Sequence, residues 1–244
     1  MTIIKKLALI AACGAFLTGC STHRENMRVN HTCFDAPSSV VIARIEGFEK
    51  ANFYRAGQQG VVDSVIISAI ASDLIEKVES INTKPLLEKG YYNPFDKFFA
   101  QKGYKVVKEY TPLSKKDLKD HEKNEKGFSI YDLRNLSTKY HVEYALLLEP
   151  HQLGVERPYY GFIPLGAPKG VTRFTVSFVR LRDGVLMAHY NAEAVKNVIG
   201  EWDAPPTYKP LVASVRTAII NSLDDAHEHM FGDDLDADDE LDLK

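Results

Sequence analysis

The sequence predicts an α/β fold of the α+β-like kind, a single domain with amphipathic helices packed on a mixed β-sheet. The first reason is the order of its periodic segments, β-α-α-β-α-β-β-β-α, with no repeat and no strong internal linker. The second is size, because 244 residues suffice to bury a large core. The third is composition: 45% hydrophobic and 26% charged residues are typical of a globular chain and exclude a disordered or multispanning one.

The first twenty residues have the features of a bacterial export signal. Lys5 and Lys6 precede an apolar run of about ten to thirteen residues, too short for the ~20 residues of a membrane-spanning helix. The run ends in Leu17-Thr18-Gly19-Cys20, which resembles the bacterial lipobox. This resemblance implies that residues 1–19 are a signal peptide cut before Cys20. It also implies a diacylglyceryl thioether on Cys20 and a fatty acid such as palmitate on the new amino group. Ordinary signal cleavage is the alternative.

The residue after Cys20 predicts the destination of the protein. In lipoproteins of the enterobacterial kind an Asp at this position retains the protein at the inner membrane, whereas this chain has Ser21. We therefore expect an outer-membrane location facing the periplasm. Residues 20–37 are mostly polar and lack periodicity, so we interpret them as a lipidated tether. Cys33 is then the one cysteine left in the mature chain, either an unused thiol or a thiol that pairs between chains.

The body begins at residue 38 with an apolar run, Val40–Ile45, that predicts a first strand. A helix follows over Val61–Ile81, where apolar residues recur every three or four positions. They are Val62, Ile66, Ile70, Leu74, Val78 and Ile81. The next helix opens at Asn93-Pro94 and is expected to bury Phe95, Phe98 and Phe99 before it stops at Gly103. Residues 104–110 predict a second strand.

The middle of the chain contains a charged insert and a central strand. Residues 113–126 have both charge signs and little to bury, so we expect a solvated helix or a mobile insert. Ser129 to Asp132 resembles a capping box that opens a short helix. Residues 142–149 contain the run Tyr144-Ala-Leu-Leu-Leu148, which predicts a strand buried on both faces.

A hairpin and a long helix complete the body. The turn Arg182-Asp183-Gly184 separates two strand patterns at about 171–182 and 185–195. From Pro210, apolar residues at helical spacing predict a final helix on the sheet, so the body spans residues 38–231. Residues 232–244 form an acidic tail that we expect to be disordered.

This order of elements weakly resembles a group of small periplasmic α/β domains. They are those of the curli-secretion lipoprotein, the lipoprotein activators of penicillin-binding proteins and the N-terminal domain of TolB. The resemblance lies in the short helix before Tyr144-Ala-Leu-Leu-Leu148, the Arg-Asp-Gly hairpin and the long closing helix. It covers residues 38–231 in topology and implies a role in the cell envelope.

Linear motifs for chemistry are weak throughout. The Gly-x-Ser-x-Gly pattern of hydrolases is absent from the sequence. His227-Glu228-His229 on the last helix does not match a zinc motif, which needs His at i and i+4. The tail lacks the glycine and the length of a calcium-binding loop. We therefore predict no enzyme activity, no metal and no cofactor apart from the covalent lipid on Cys20.

The segment from residue 158 to 170 is the strongest candidate for a binding site. It contains three Pro, three Gly and large apolar residues that include Tyr159, Tyr160, Phe162 and Ile163. Turn formers argue against regular structure here, and so many aromatic rings are unusual in a connection. Either the loop folds back onto the sheet or it presents its rings to a partner or ligand.

Together these features predict where the protein is located in the cell but do not identify a reaction. We expect an outer-membrane-anchored periplasmic lipoprotein that acts as a non-catalytic binding or accessory factor of the cell envelope. Its partners would be the membrane, through the lipid, and an envelope protein or the cell wall. The body has no excess of positive charge, so we expect no nucleic-acid partner. A subunit of an envelope secretion or assembly complex and a membrane-tethered hydrolase remain as alternatives.

Overall fold

The structure, a computed structural model, describes residues 24–34, 36–47, 49–83, 93–123, 125–203 and 207–232. The predicted signal peptide, the predicted lipidation site Cys20 and most of the acidic tail lie outside these residues. The strands are β1 (Ser39–Arg44), β2 (Asn52–Ala56), β3 (Lys105–Lys108), β4 (Tyr144–Tyr160), β5 (Ile163–Pro164), β6 (Lys169–Arg180) and β7 (Val185–Asn197). The helices are α1 (Val61–Ile70), α2 (Ser72–Glu79), α3 (Asn93–Gln101), α4 (Arg134–Tyr140) and α5 (Lys209–Phe231).

The sheet is mixed, as the sequence predicts. Its order is β3-β1-β4-β6-β7, with β1 parallel to β3 and β4, while β6 is antiparallel to both of its neighbours, β4 and β7. Strand β2 is parallel to the second half of β4, and β5 pairs antiparallel with its last residues. The long strand β4 therefore joins all parts of the sheet. The prediction of one domain with a mixed sheet and packed helices is confirmed.

The two faces of the sheet are covered by different elements. On one face α3 and α5 bury a core rich in aromatic rings. Its rings include Phe95, Phe99, Phe174, Phe178 and Phe231. On the other face α4 and residues 113–133 cover a smaller cluster that includes Val41, Ala43 and Leu147. This second layer covers only part of its face. None of the helices in the described ranges is long and apolar enough to span a bilayer.

The helix predicted over residues 61–81 is divided into two helices, and the first of them buries a different face from the predicted one. It is interrupted at Ala71, whose backbone leaves helical geometry (φ −107°, ψ 16°). Val62 and Ile70 are 71% and 63% exposed, whereas Ile67 is fully buried. The buried stripe uses Ile67 and the small Ala71 because both pack against Tyr159 at the end of β4. The prediction for the first half of this helix was therefore wrong by one position.

The charged insert and the following helix also differ from their predictions. Leu113 forms a bridge with Ile45, and Asp120 forms one with Tyr131, so these residues are fixed to the body. The predicted capping box at Ser129 does not form. The helix begins at Arg134 instead, and Asp132 accepts a hydrogen bond from its backbone N–H at 3.1 Å.

Residues 24–34 pack against the body, although they fall within the segment interpreted as a tether. Met27 and His189 exchange both backbone hydrogen bonds, at 2.7 and 2.8 Å, and the Val29 N–H donates to the Met230 carbonyl at 3.0 Å. The segment follows the edge of β7, whose backbone groups need partners. The first described residue, Arg24, thus comes four positions after Cys20. The limits of the signal peptide and the tail stay predictions.

The last hairpin and the last helix agree with the sequence prediction, whereas β4 continues to Tyr160, well beyond the predicted end of this strand at Glu149. The hairpin of β6 and β7 turns at Gly184, which has a φ of +70° that suits glycine. Helix α5 buries Val215, Ile219, Leu223 and Met230 at the predicted spacing.

Candidate functional site

A cavity of about 460 Å³ lies on the sheet face opposite α5. Its floor is formed by residues of β4, β6 and β7 that alternate with the core residues of the other face. Its walls are Arg24 and the segment between residues 115 and 131. The lining residues are Arg24, Lys115, Asp120, Ser129, Ile130, Tyr131, Leu147, Glu149, His151, Thr175, Ser177, Leu186, His189 and Asn191.

Glu149 is the buried carboxylate of the cavity, and its residue is 9% exposed. The Tyr131 hydroxyl and the Lys115 ammonium both donate to its Oε1 atom at 2.8 Å. Oε2 takes no bond from the described residues and is left as an acceptor for a ligand. Loss of water, followed by the bond to Glu149, raises the pKa of Tyr131 to about 12. The same carboxylate, through its hydrogen bond, raises the pKa of Lys115. At neutral pH Tyr131 is therefore a neutral phenol and Lys115 is an ammonium.

His151 begins a second polar chain across the strands. Its Nε2 atom lies 2.7 Å from the Thr175 hydroxyl, which donates to the Asn191 side-chain oxygen at 2.9 Å. Because Thr175 uses its proton on Asn191, it accepts the bond from His151, and this assigns the proton to Nε2. Removal of water from around the ring lowers the pKa of His151, so the imidazole is neutral at pH 7. An irregularity of β4 between Pro150 and Gln152 places this ring at the cavity.

Ser177 and His189 form a pair that needs comparison with a hydrolase. The Ser177 hydroxyl lies 3.0 Å from Nδ1 of His189, which is within the distance of a nucleophile and its base. However, the two residues are cross-strand neighbours in the middle of the sheet. The backbone N–H groups around Ser177 are used in the ladders to β4 and β7, so they cannot stabilise an oxyanion. The arrangement fits a satisfied polar pair in the floor of the cavity better than a catalytic centre.

The charges that line the cavity are balanced. Two cations, Arg24 and Lys115, face two carboxylates, Asp120 and Glu149. Arg24 is 4% exposed and is held by a bond from its Nε to the Phe128 carbonyl at 2.7 Å. A site with balanced charges and several hydroxyl, amide and imidazole groups favours an uncharged polar ligand, because a net ion would gain no net attraction there.

Sequence reasoning did not find this cavity. Its floor comes from polar residues at every second position of strands that otherwise bury apolar residues. These positions are Thr175 and Ser177 in β6, and His189 and Asn191 in β7. That alternation of polar and apolar residues in the two strands of the predicted hairpin was the available signal. Lys115 was interpreted only as part of a solvated insert.

The structure separates the four residues predicted as a partner site. Tyr159 is 1% exposed and packs against Ile67 and Ala71. Tyr160, Phe162 and Ile163 are 70%, 47% and 55% exposed. The loop is also more regular than expected, because β4 continues to Tyr160 and β5 pairs with it. One ring thus folds back and the other three side chains are presented to solvent. Whether they bind a partner stays a prediction.

The exposed hairpin residues adjoin the first turns of α1. A Cβ atom at Gly161 would lie 3.5 Å from the Asp63 carboxylate, and the Gly161 N–H donates to the Gln58 carbonyl at 3.2 Å. The exposed apolar residues of both elements form what we call the apolar end surface. Its members are Val61, Val62, Val65, Tyr160, Phe162, Ile163 and Leu165.

The described residues contain no group of three or more His, Cys, Asp or Glu that could hold a metal ion. His227 lies against the rings of Phe95 and Phe98, while His229 stacks on Tyr190 with ring centroids 4.5 Å apart. The two histidines of the His-Glu-His sequence therefore face different surroundings.

Comparison with known proteins gives similarity of low degree. No family model matches the sequence, and no curated protein matches it. Among solved structures, the chain is similar to protein XCC0632 from Xanthomonas campestris, of the DUF330 family, at 8% identity and a TM-score of 0.41, over 79% of this chain and 82% of that one. It is also similar to lipoprotein GNA1162 from Neisseria meningitidis, at 10% identity and a TM-score of 0.30, over 78% and 99% of the two chains. Similarities at these TM-scores do not indicate a function.

Proposed function

We propose that the protein is a lipoprotein anchored in the outer membrane through Cys20, with its body in the periplasm, and that it binds a small uncharged polar ligand in its cavity without transforming it. The cavity supports this proposal most strongly, because it brings Glu149, Tyr131 and His151 together from separate parts of the chain. The lipobox-like sequence Leu17–Cys20 supports the anchor.

A tethered hydrolase is the second candidate, and the 3.0 Å contact of Ser177 with His189 is the observation in its favour. It has weaker support than binding, because an acyl-transfer site also needs N–H donors directed at the reacting oxygen. Around Ser177 the strand ladders use those donors.

The anchor is tested by Cys20→Ala, with Cys33→Ala as the matched control. Wild type and Cys33→Ala should incorporate labelled palmitate and float with outer-membrane vesicles in a sucrose gradient. Cys20→Ala should do neither, because its side chain has no thiol to form the thioether. Equal labelling of wild type and Cys20→Ala would refute the anchor.

The binding site is tested by native mass spectrometry of the lipidated protein purified from envelopes in mild detergent. We expect an added small-molecule mass on the wild type that is lost in Glu149→Gln. Glu193→Gln is the control, because Glu193 lies on β7 and its carboxylate bonds Arg173 outside the cavity. A mass retained in Glu149→Gln would argue against this cavity, and turnover of the bound molecule would favour the hydrolase.

A further inference from the structure

We propose that the apolar end surface inserts into the lipid bilayer that carries the protein's own anchor, so that the body is attached to the membrane at two points. The inference rests on the proposed lipid anchor and goes beyond it, because a lipid on Cys20 alone would leave the rest of the body free to turn. The occupant of the surface is thus the interfacial and acyl-chain region of a bilayer.

The surface is held open by the fold. Tyr159 fixes the base of the hairpin, since its ring is buried between β2 and the two helices α1 and α2. At Gly57 (φ +101°) a Cβ atom would lie 2.2 Å from the Tyr159 carbonyl oxygen, so the backbone there is in close contact. The Leu165 N–H donates to the Pro158 carbonyl at 2.9 Å and closes the turn. The side chains of Tyr160, Phe162 and Leu165 therefore stay in solvent.

The composition of the surface is that of a membrane interface. It combines three valines, Ile163 and Leu165 with one phenylalanine and one tyrosine, and the tyrosine has a polar end that suits the headgroup level. On the same strand as Tyr160, the Arg157 guanidinium lies 4.7 Å from the Trp202 ring and donates to the Gly166 carbonyl at 2.9 Å. Soluble surfaces seldom expose so many large apolar side chains from adjoining elements, and such patches mark protein or membrane contacts.

The length of chain before Arg24 favours the bilayer over a diffusing protein. Three residues lie between the Cys20 position and Arg24, so the four Cα–Cα steps from one to the other span at most ~14 Å. The Arg24 carbonyl accepts a bond from Asn191, which is in register with Thr175 and Glu149, so this segment meets the sheet at that level. From Glu149 to Tyr160 the strand extends by about 35 Å. The anchor keeps the bilayer at a high effective concentration for the whole body. A second contact with the bilayer, about 35 Å along the strand from the level of the anchored segment, would orient the body on the membrane.

The test places an environment-sensitive NBD fluorophore on the lipidated full chain. Phe162→Cys is made in a Cys33→Ser background and labelled, and the protein is reconstituted into vesicles of phosphatidylethanolamine and phosphatidylglycerol. Arg182→Cys is the matched control, because Arg182 lies in the exposed turn at the opposite end of the sheet. Vesicles with brominated acyl chains then report contact with lipid.

We expect a blue shift and a several-fold rise of emission at position 162, with quenching by the brominated lipids, and neither at position 182. Protein that floats with the vesicles but keeps an aqueous, unquenched probe at position 162 would overturn the inference and leave the anchor intact. A blue shift that depends on protein concentration and is not quenched by the brominated lipids would overturn the inference, because the probe would then contact a second copy or another protein. Failure to float would refute the anchor and the inference together.

Discussion

Tyr159 and Tyr160 are neighbours in sequence with opposite environments, and they make the sharpest test of the hairpin structure. Tyr159 is 1% exposed and Tyr160 is 70% exposed. We predict that Tyr159→Ala strongly destabilises the protein and that Tyr160→Ala does not. Because both changes remove the same atoms from the same strand, their difference measures burial alone.

The magnitudes follow from the contacts. Replacing a buried aromatic residue by Ala costs about 3–5 kcal/mol. Against this, the Tyr159 hydroxyl is buried and has no hydrogen-bond partner among the described residues, so its removal returns about 1 kcal/mol. We therefore expect a net loss of about 2–4 kcal/mol for Tyr159→Ala. Tyr160→Ala should stay within about 0.5 kcal/mol of wild type.

Tyr159→Phe isolates the hydroxyl, since it keeps the ring that packs against Ile67 and Ala71. It should leave stability unchanged or raise it by up to about 1 kcal/mol. Urea unfolding of the full chain, followed by circular dichroism, measures all three variants. With a urea dependence of about 2 kcal/mol per molar, the midpoint for Tyr159→Ala should fall by about 1–2 M. Equal midpoints for the two alanine variants would refute the placement of the hairpin, and a large loss in Tyr159→Phe would show that the hydroxyl has a partner.

Three further outcomes are expected. Ile219→Asp should unfold the body at several kcal/mol, whereas Ile220→Asp should be tolerated in thermal melts, because the first residue is 2% exposed and the second 52%. Since the folded state raises the pKa of Tyr131 to about 12 from an ordinary 10.0, its contribution to stability is present below pH 10 and is lost between pH 10 and 12. In urea unfolding at a series of pH values, the free energy of unfolding of Tyr131→Phe should therefore fall less than that of wild type between pH 10 and 12. Arg24→Ala should release residues 24–29 from the body, seen as faster amide exchange at Met27, whose N–H is bonded to β7.

The elements that were predicted correctly are those whose pattern is set locally. The β6–β7 turn follows from Asp183-Gly184, and the stripe of α5 follows from apolar spacing with no break over twenty-three residues. Helix α1 failed because two stripes were available. The sequence offers Val62 and Ile70 as large apolar residues, but the buried site opposite Tyr159 accepts Ile67 and the small Ala71. Which stripe is buried depends on a partner about ninety residues away in sequence, and periodicity does not contain that information.

The cavity escaped prediction for a related reason. Its groups come from the N-terminal segment, the charged insert and three strands, so no short spacing connects them. In the sequence Lys115 has the character of an ordinary surface lysine. Only its 2.8 Å contact with Glu149 shows that it belongs to the cavity. The composition of residues 158–170 indicated a loop of interest and not the β4–β5 hairpin, and only the fold distinguishes Tyr159 from its exposed neighbours.

The position of Arg24 relates the anchor to the cavity. A free tether after a lipidated cysteine would allow the body to move far from the bilayer. In this protein the chain is fixed early, because Arg24 is bonded in the wall of the cavity and Met27 is bonded to β7. Under the proposed lipid anchor on Cys20, the ~14 Å of chain between Cys20 and Arg24 would keep the wall of the cavity close to the membrane surface. The proposed ligand would then have to be small enough to enter a cavity of about 460 Å³ and be present at that surface. The proposed function therefore directs the search for a ligand to uncharged polar groups of envelope components. We predict that lengthening the chain between Cys20 and Arg24 would change access to the cavity without changing its intrinsic affinity.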